Sequence, residues 1–132
     1  MEFKPGVVYG EALNALYKHA NDNKYALPAV NVTSTQTVNS VMETSGRLKR
    51  PVIIQFSNGG AAYFAGKGLS NDGEKAAIAG GISGARHIHD LAELYGAMVV
   101  IHTDHAAKKL LPWIDGLLDE GEKFYQEHGK PL

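Results

Sequence analysis

The sequence contains no cysteine. That excludes disulfides and any thiolate zinc site, so a metal here would have to be held by histidine and carboxylate side chains. It also has almost no net charge. Thirteen Lys and Arg stand against fourteen Asp and Glu, for a formal charge of −1. This balance argues against a nucleic-acid or anionic-membrane partner held by bulk electrostatics. No apolar run approaches the ~18 residues a membrane span needs. The opening stretch from Met1 to Tyr9 carries Glu2, Lys4 and Pro5 and lacks the apolar core of a signal peptide. These absences lead us to expect a soluble, cytoplasmic chain. Low-complexity tracts and obvious linkers are missing too. What is present is an ordinary globular composition of 132 residues, 44% hydrophobic and 20% charged, with fifteen Gly, the size of one domain.

Helix-period and strand-like segments alternate along the chain. Leu13, Leu16, Tyr17 and Ala20 mark a helical face over 11–21, which the cluster Asn21-Asp22-Asn23 is suited to end. Residues 26–30 read as a short buried strand with Pro28 near its start. Val38, Val41, Met42, Ser45 and Leu48 recur at helical spacing, with a cap available from Thr33, Ser34 or Thr35 and a break at Pro51. Residues 52–56, Val-Ile-Ile-Gln-Phe, predict a strand by their β-branched, nearly all-apolar content. Residues 57–73 read as a long Gly-rich loop, 75–95 as a helix closed by Gly96, and 98–101 as a third strand. Leu111, Ile114, Leu117, Leu118 and Phe124 mark a last helix, with Pro112 in its first turn and Gly129 at its end. Strands so continuously apolar belong to parallel sheets covered on both faces, and the order predicts α/β architecture with three strand–helix units. The segment Lys130-Pro131-Leu132 repeats the punctuation of Arg50-Pro51-Val52 after a helix. It predicts a fourth strand opening at Leu132, and a domain over 1–132 truncated there.

Each predicted strand runs into polar residues: Asn31 after the first, Ser57 and Asn58 after the second, and His102-Thr103-Asp104-His105 after the third. Ligand sites of open α/β sheets and (β/α)₈ barrels lie beyond these C-terminal strand ends. Taken singly, Asn31 and Ser57 are no more than polar loop residues. His102 to His105 is the densest chemistry, offering imidazoles for a metal and a carboxylate for proton transfer. It falls short of the three or four protein ligands zinc takes. A purely structural use, with Asp104 capping the next helix, accounts for it equally well. His87 and His89 are two apart and do not share a helix face, which leaves one facing solvent and one partly packed. His19 and His128 suit helix C-termini. The glycine-rich stretch fails the P-loop template, since Ala61 and Gly68 stand where Gly and Ser or Thr are required. Lys108 and Lys109 read as a solvated helix start.

From Lys4 to Leu132 the chain resembles the class II, zinc-dependent fructose-bisphosphate aldolases. The resemblance is carried by Leu27-Pro28-Ala29-Val30-Asn31, by Gln55-Phe56-Ser57-Asn58-Gly59-Gly60-Ala61, by Phe64-Ala65-Gly66-Lys67-Gly68 and by His102-Thr103-Asp104-His105. The run from Ala107 to Asp119 is similar to the long-chain branch of the family, and Ala106 stands where the family commonly has Cys. The resemblance implies the N-terminal part of a (β/α)₈ TIM barrel. It implies reversible aldol cleavage of fructose 1,6-bisphosphate to dihydroxyacetone phosphate and glyceraldehyde 3-phosphate, a step of glycolysis and gluconeogenesis. In that chemistry zinc polarises the ketone and stabilises the enediolate. By the same resemblance His105 is a zinc ligand, Asp104 the acid/base at the C4 hydroxyl, and Ser57 and Asn31 substrate contacts. His102 lies close, with no role assigned. A homodimer is implied for the complete enzyme, with a phosphorylated sugar as its small-molecule partner. Only one family zinc ligand is present, so the 132 residues alone are expected to be inactive. Two other readings are a sister aldolase acting on a tagatose-type ketose bisphosphate and a non-catalytic fragment serving as an assembly module.

Overall fold

The computed structural model of the protein describes Glu2 and residues 4–132. Strands β1 (Gly6–Val7), β2 (Ala29–Asn31), β3 (Val52–Phe56) and β4 (Met98–Thr103) form one sheet in the order β1-β4-β3-β2, all pairs parallel. Helices α1 (Gly10–Asp22), α2 (Thr35–Leu48), α3 (Asn58–Ala65), α4 (Lys75–Leu91) and α5 (Leu111–His128) alternate with them. Chain neighbours β2, β3 and β4 are also sheet neighbours, each joined to the next by helices. This is the parallel strand–helix–strand pattern from which a barrel wall is built.

The faces of the sheet follow from strand periodicity. Val52, Ile54 and Phe56 point one way and are buried with Val38, Met42, Ala61, Ala77, Ile88, Val99 and Trp113, which α2 to α5 and β4 supply. On the opposite face Val100 and Met98 join Val8 and Leu16 in a smaller cluster, with Leu13, Leu27 and Ile53 at its margin. One face is therefore sealed by four helices. The other carries a short apolar floor and stays open toward the C-terminal strand ends.

Local chemistry explains the element ends. Ser34 begins α2 with a reciprocal box: its Oγ accepts from the Thr37 N–H at 3.3 Å, and Thr37 Oγ1 accepts from the Ser34 N–H at 3.1 Å. Near the other end of α2, Ser45 is the one buried polar side chain among the described residues. Its hydroxyl donates to the Arg50 carbonyl at 2.7 Å and accepts from the Met98 N–H at 3.3 Å, which ties α2 to the sheet. Two glycines permit close backbone approach. A Cβ at Gly80 would lie 1.8 Å from the Ala61 carbonyl oxygen, and one at Gly46 would lie 2.0 Å from that of Tyr95.

Several predicted elements differ from the structure. The expected loop over 57–73 contains α3, because Ser57 caps it and burial of Gly60 against Val32 and of Ala61 against Gly80 of α4 outweighs the poor helix propensity of its glycines. The strand β1 has no sequence signal of its own: it pairs only with Met98 and Val99 of β4, so the sheet has four strands where three were expected. A strand opening after α5 would follow four, not three. The strand expected over 26–30 is instead Ala29–Asn31, and it is an exposed edge rather than a buried strand. Helix α4 ends at Leu91, and β4 extends through His102 and Thr103.

Candidate active site

The register of the sheet assembles the site. Asn31 of β2 lies beside Gln55 of β3, and Gln55 lies beside His102 of β4. Residues side by side in a parallel sheet point to the same face, so three polar side chains form one row above the floor of Ile53 and Val100. The row is hydrogen-bonded end to end. His102 Nδ1 is 2.9 Å from Gln55 Oε1, Gln55 Nε2 donates to Asn31 Oδ1 at 3.1 Å, and Asn31 Nδ2 donates to Asp104 Oδ2 at 3.3 Å.

Asp104 follows β4 immediately, and its backbone N–H donates to the Phe56 carbonyl at 2.8 Å, which fixes where its side chain starts. Its second oxygen, Oδ1, accepts from the His105 N–H at 2.8 Å. That backbone bond first, and the Asn31 amide second, hold the Asp104 carboxyl below the usual carboxylate range. The local bond is a turn within Asp104-His105 and not the cap of the next helix, which begins beyond it. His105 Nδ1 is 3.8 Å from Asp104 Oδ1, and its side chain is wholly exposed.

Ser57 sits one residue past β3, at the same end of the sheet. Its Oγ accepts from the Gly60 N–H at 2.9 Å and so opens α3. The structure thus brings Asn31, Asp104 and His102 into one network and places His105 at its rim, while the bond of Ser57 belongs to α3.

A metal ion tests this donor set. Among the described residues no three His, Asp or Glu side chains come together to hold one. The exposed imidazole of His105 is suited to be one ligand, short of the three or four that zinc takes. The described residues therefore do not by themselves make a zinc site. The remaining histidines serve structure. His87 Nε2 meets Asn39 Oδ1 at 2.7 Å across α4 and α2, so it is a tether rather than a solvent-facing residue. His89 packs on Phe124, and His19 bonds the Tyr25 hydroxyl at 2.8 Å.

Gln55 is the functional candidate that sequence reading passes over. It sits inside an apolar strand, and the one signal for it is that a lone polar residue interrupts the run Val52 to Phe56. Its importance appears only when strand register sets it between Asn31 and His102.

Comparison with known proteins gives one consistent result. The family model described as "Fructose-bisphosphate aldolase class-II" matches residues 11–128. A fructose-bisphosphate aldolase of Edwardsiella ictaluri is 55% identical over 129 residues, covering 98% of this chain and 36% of that protein. A fructose-bisphosphate aldolase class 2 of Escherichia coli K12 is 56% identical over 130 residues, with the same coverage of 98% and 36%. The crystal structure of a fructose-bisphosphate aldolase from Campylobacter jejuni superposes with a TM-score of 0.90 at 48% identity, covering 97% of this chain and 35% of that one. The chain thus spans about a third of the length of the relatives it matches, and its parallel sheet and helices correspond to part of an aldolase TIM barrel.

Proposed function

The chain belongs to the class II fructose-bisphosphate aldolase family, and from that premise we propose that it carries the proton-transfer edge of an aldolase active site. The substrate of this reading is fructose 1,6-bisphosphate, and Asp104 is its acid/base. In the cleavage direction the C4 hydroxyl gives its proton to the Asp104 carboxylate. The C3–C4 bond breaks, the C4 oxygen becomes the aldehyde carbonyl, and the electron pair stays on C3 as the enediolate. Condensation runs the same transfer backwards. The observation that carries the reading is the environment of Asp104. Donors on both of its oxygens keep it ionised and oriented before any substrate arrives.

Asn31, bonded to this carboxylate, and Ser57, at the end of β3, are the substrate contacts of this reading. His105 supplies one imidazole toward a zinc ion whose other ligands are not gathered beside it among the described residues. The barrel domain of which 1–132 is part, the phosphorylated sugar as partner and a homodimeric enzyme complete the proposal. The test is direct. The purified 132-residue chain should neither bind zinc stoichiometrically by calorimetry nor cleave the sugar, and both properties should appear together when the rest of the barrel is supplied from a relative. Turnover by the chain alone would refute this division of the site.

One observation favours a second reading, an assembly module. β1 pairs with β4 only at Met98 and Val99, while β4 continues to Thr103, which lines one open cavity with the exposed Leu118 and Tyr125 of α5. An unpaired strand edge next to apolar side chains is a surface for strand addition. Size-exclusion chromatography separates the two: a stable monomer of the isolated chain counts against assembly through this edge.

A further inference from the structure

The row of polar side chains has a direction. Gln55 meets His102 Nδ1 with Oε1, an oxygen that only accepts, so the hydrogen between them belongs to Nδ1. Gln55 then presents its amide nitrogen to Asn31 Oδ1, and Asn31 presents its own amide nitrogen to Asp104 Oδ2. Every donor in the series points the same way, from an imidazole to a carboxylate. An ionised carboxylate accepts only, which fixes the sense of the last bond. The sense of the first bond is fixed by the tautomer of His102.

We propose that His102 is a positioning residue for Asp104, acting through its Nδ1–H tautomer to set the orientation of the Gln55 and Asn31 amides. The reasoning is a matter of paired atoms. With the hydrogen on Nε2 instead, a bare Nδ1 would face the bare Oε1 of Gln55. Relief requires the Gln55 amide to turn over, which sets its oxygen against the oxygen of Asn31. Asn31 must then turn as well, and its carbonyl would face the Asp104 carboxylate. One misplaced hydrogen on His102 thus removes a donor from Asp104 three hydrogen bonds away in the network, through groups that touch each other at 2.9–3.3 Å. The Nδ1–H tautomer also leaves the Nε2 lone pair free on an exposed ring. The inference rests on the proposed role of Asp104 for its functional meaning, but not for its physical content.

The test needs neither substrate nor metal. Long-range ¹⁵N–¹H correlation spectra of the protein at a pH where His102 is neutral report its tautomer, and we expect hydrogen on Nδ1. His102→Asn places an amide N–H close to the position of Nδ1, whereas His102→Gln carries its amide out to the position of Nε2. The two carboxamide protons of Asn31 should keep the wild-type shift separation in His102→Asn. In His102→Gln that separation should collapse toward a free amide. A neutral His102 with hydrogen on Nε2, or an Asn31 signal indifferent to His102→Gln, would overturn the proposal. The tautomer is read on the unmodified protein, so the test survives if a variant misfolds. A relay confirmed by these spectra beside an Asp104 without effect on sugar cleavage would overturn the proposed function alone.

Discussion

Asp104 keeps its charge through one backbone N–H and one side-chain amide, and these contribute unequally. The His105 N–H bond is local and survives most substitutions, whereas the Asn31 bond depends on β2, which lies beyond β3 in the sheet. Asn31→Ala should therefore move the Asp104 pKa partway up toward the ordinary Asp value, as read by ¹³C titration of its carboxyl. An unchanged titration would show that Asn31 does not matter to it. The sign for stability follows from linkage: a carboxyl whose folded pKa is depressed stabilises the fold above its ordinary pKa, and the contribution is lost as pH falls through the depressed value. Asn31→Ala should narrow that acid-side loss. At this scale the sequence was informative where chemistry is contiguous. His102 to His105 announces itself as a cluster, with proton transfer and local structure both open, and the geometry adds the bond from Asn31 to Asp104. Gln55 was not legible, because its partners are 24 and 47 residues away and only strand register makes them neighbours.

Helices and strands were legible where periodicity is strong and opaque where tertiary contact decides. Strand β3 and helix α2 follow from apolar spacing and the Ser34 cap. Helix α3 does not, because two glycines in its first turn argue against it and only packing on α4 explains it. That packing gives a sharp expectation. In an exposed helix Gly→Ala gains up to ~1 kcal/mol. At Gly80 the added methyl would strike the Ala61 carbonyl at 1.8 Å. Gly80→Ala should then cost about 1–3 kcal/mol in urea unfolding, the range for overpacking, and a stabilised variant would show that α3 and α4 do not meet this closely. The α4–α5 contact is expected to be acid-sensitive. His89 lies against Phe124, which stacks on His128, and the buried Nε2 of His89 has no partner among the described residues. Burial, then the Lys130 cation, lowers the His89 pKa below 6.5. The unfolded chain thus takes up the proton first, and stability should fall as pH drops below about 6.5, the unfolded His value. Asp90 opposes this shift, while His128 adds to it. Chemical denaturation of His89→Phe should show a flatter slope between pH 7 and 5 than the parent, and an identical slope would assign the acid loss elsewhere.

For the whole molecule, the sheet order and the crossovers set three polar strand ends on one rim, and that rim is where we propose that the chemistry lies. The α/β class was readable from alternating periods, and the four-stranded sheet was not, since Gly6 and Val7 gain their strand identity only from the backbone of Ala97 and Val99. The proposed separation of roles gives this chain the proton transfer and only one metal ligand, His105. The most direct measurement replaces the matching stretch of the Escherichia coli relative with these 132 residues, loads the chimera with zinc, and compares kcat for fructose 1,6-bisphosphate cleavage with and without Asp104→Asn. We expect an active chimera whose kcat falls about 10²–10⁴-fold on that substitution, the range for loss of a general acid–base group. A folded, zinc-loaded chimera that cleaves the sugar equally well with Asn at position 104 would contradict the account.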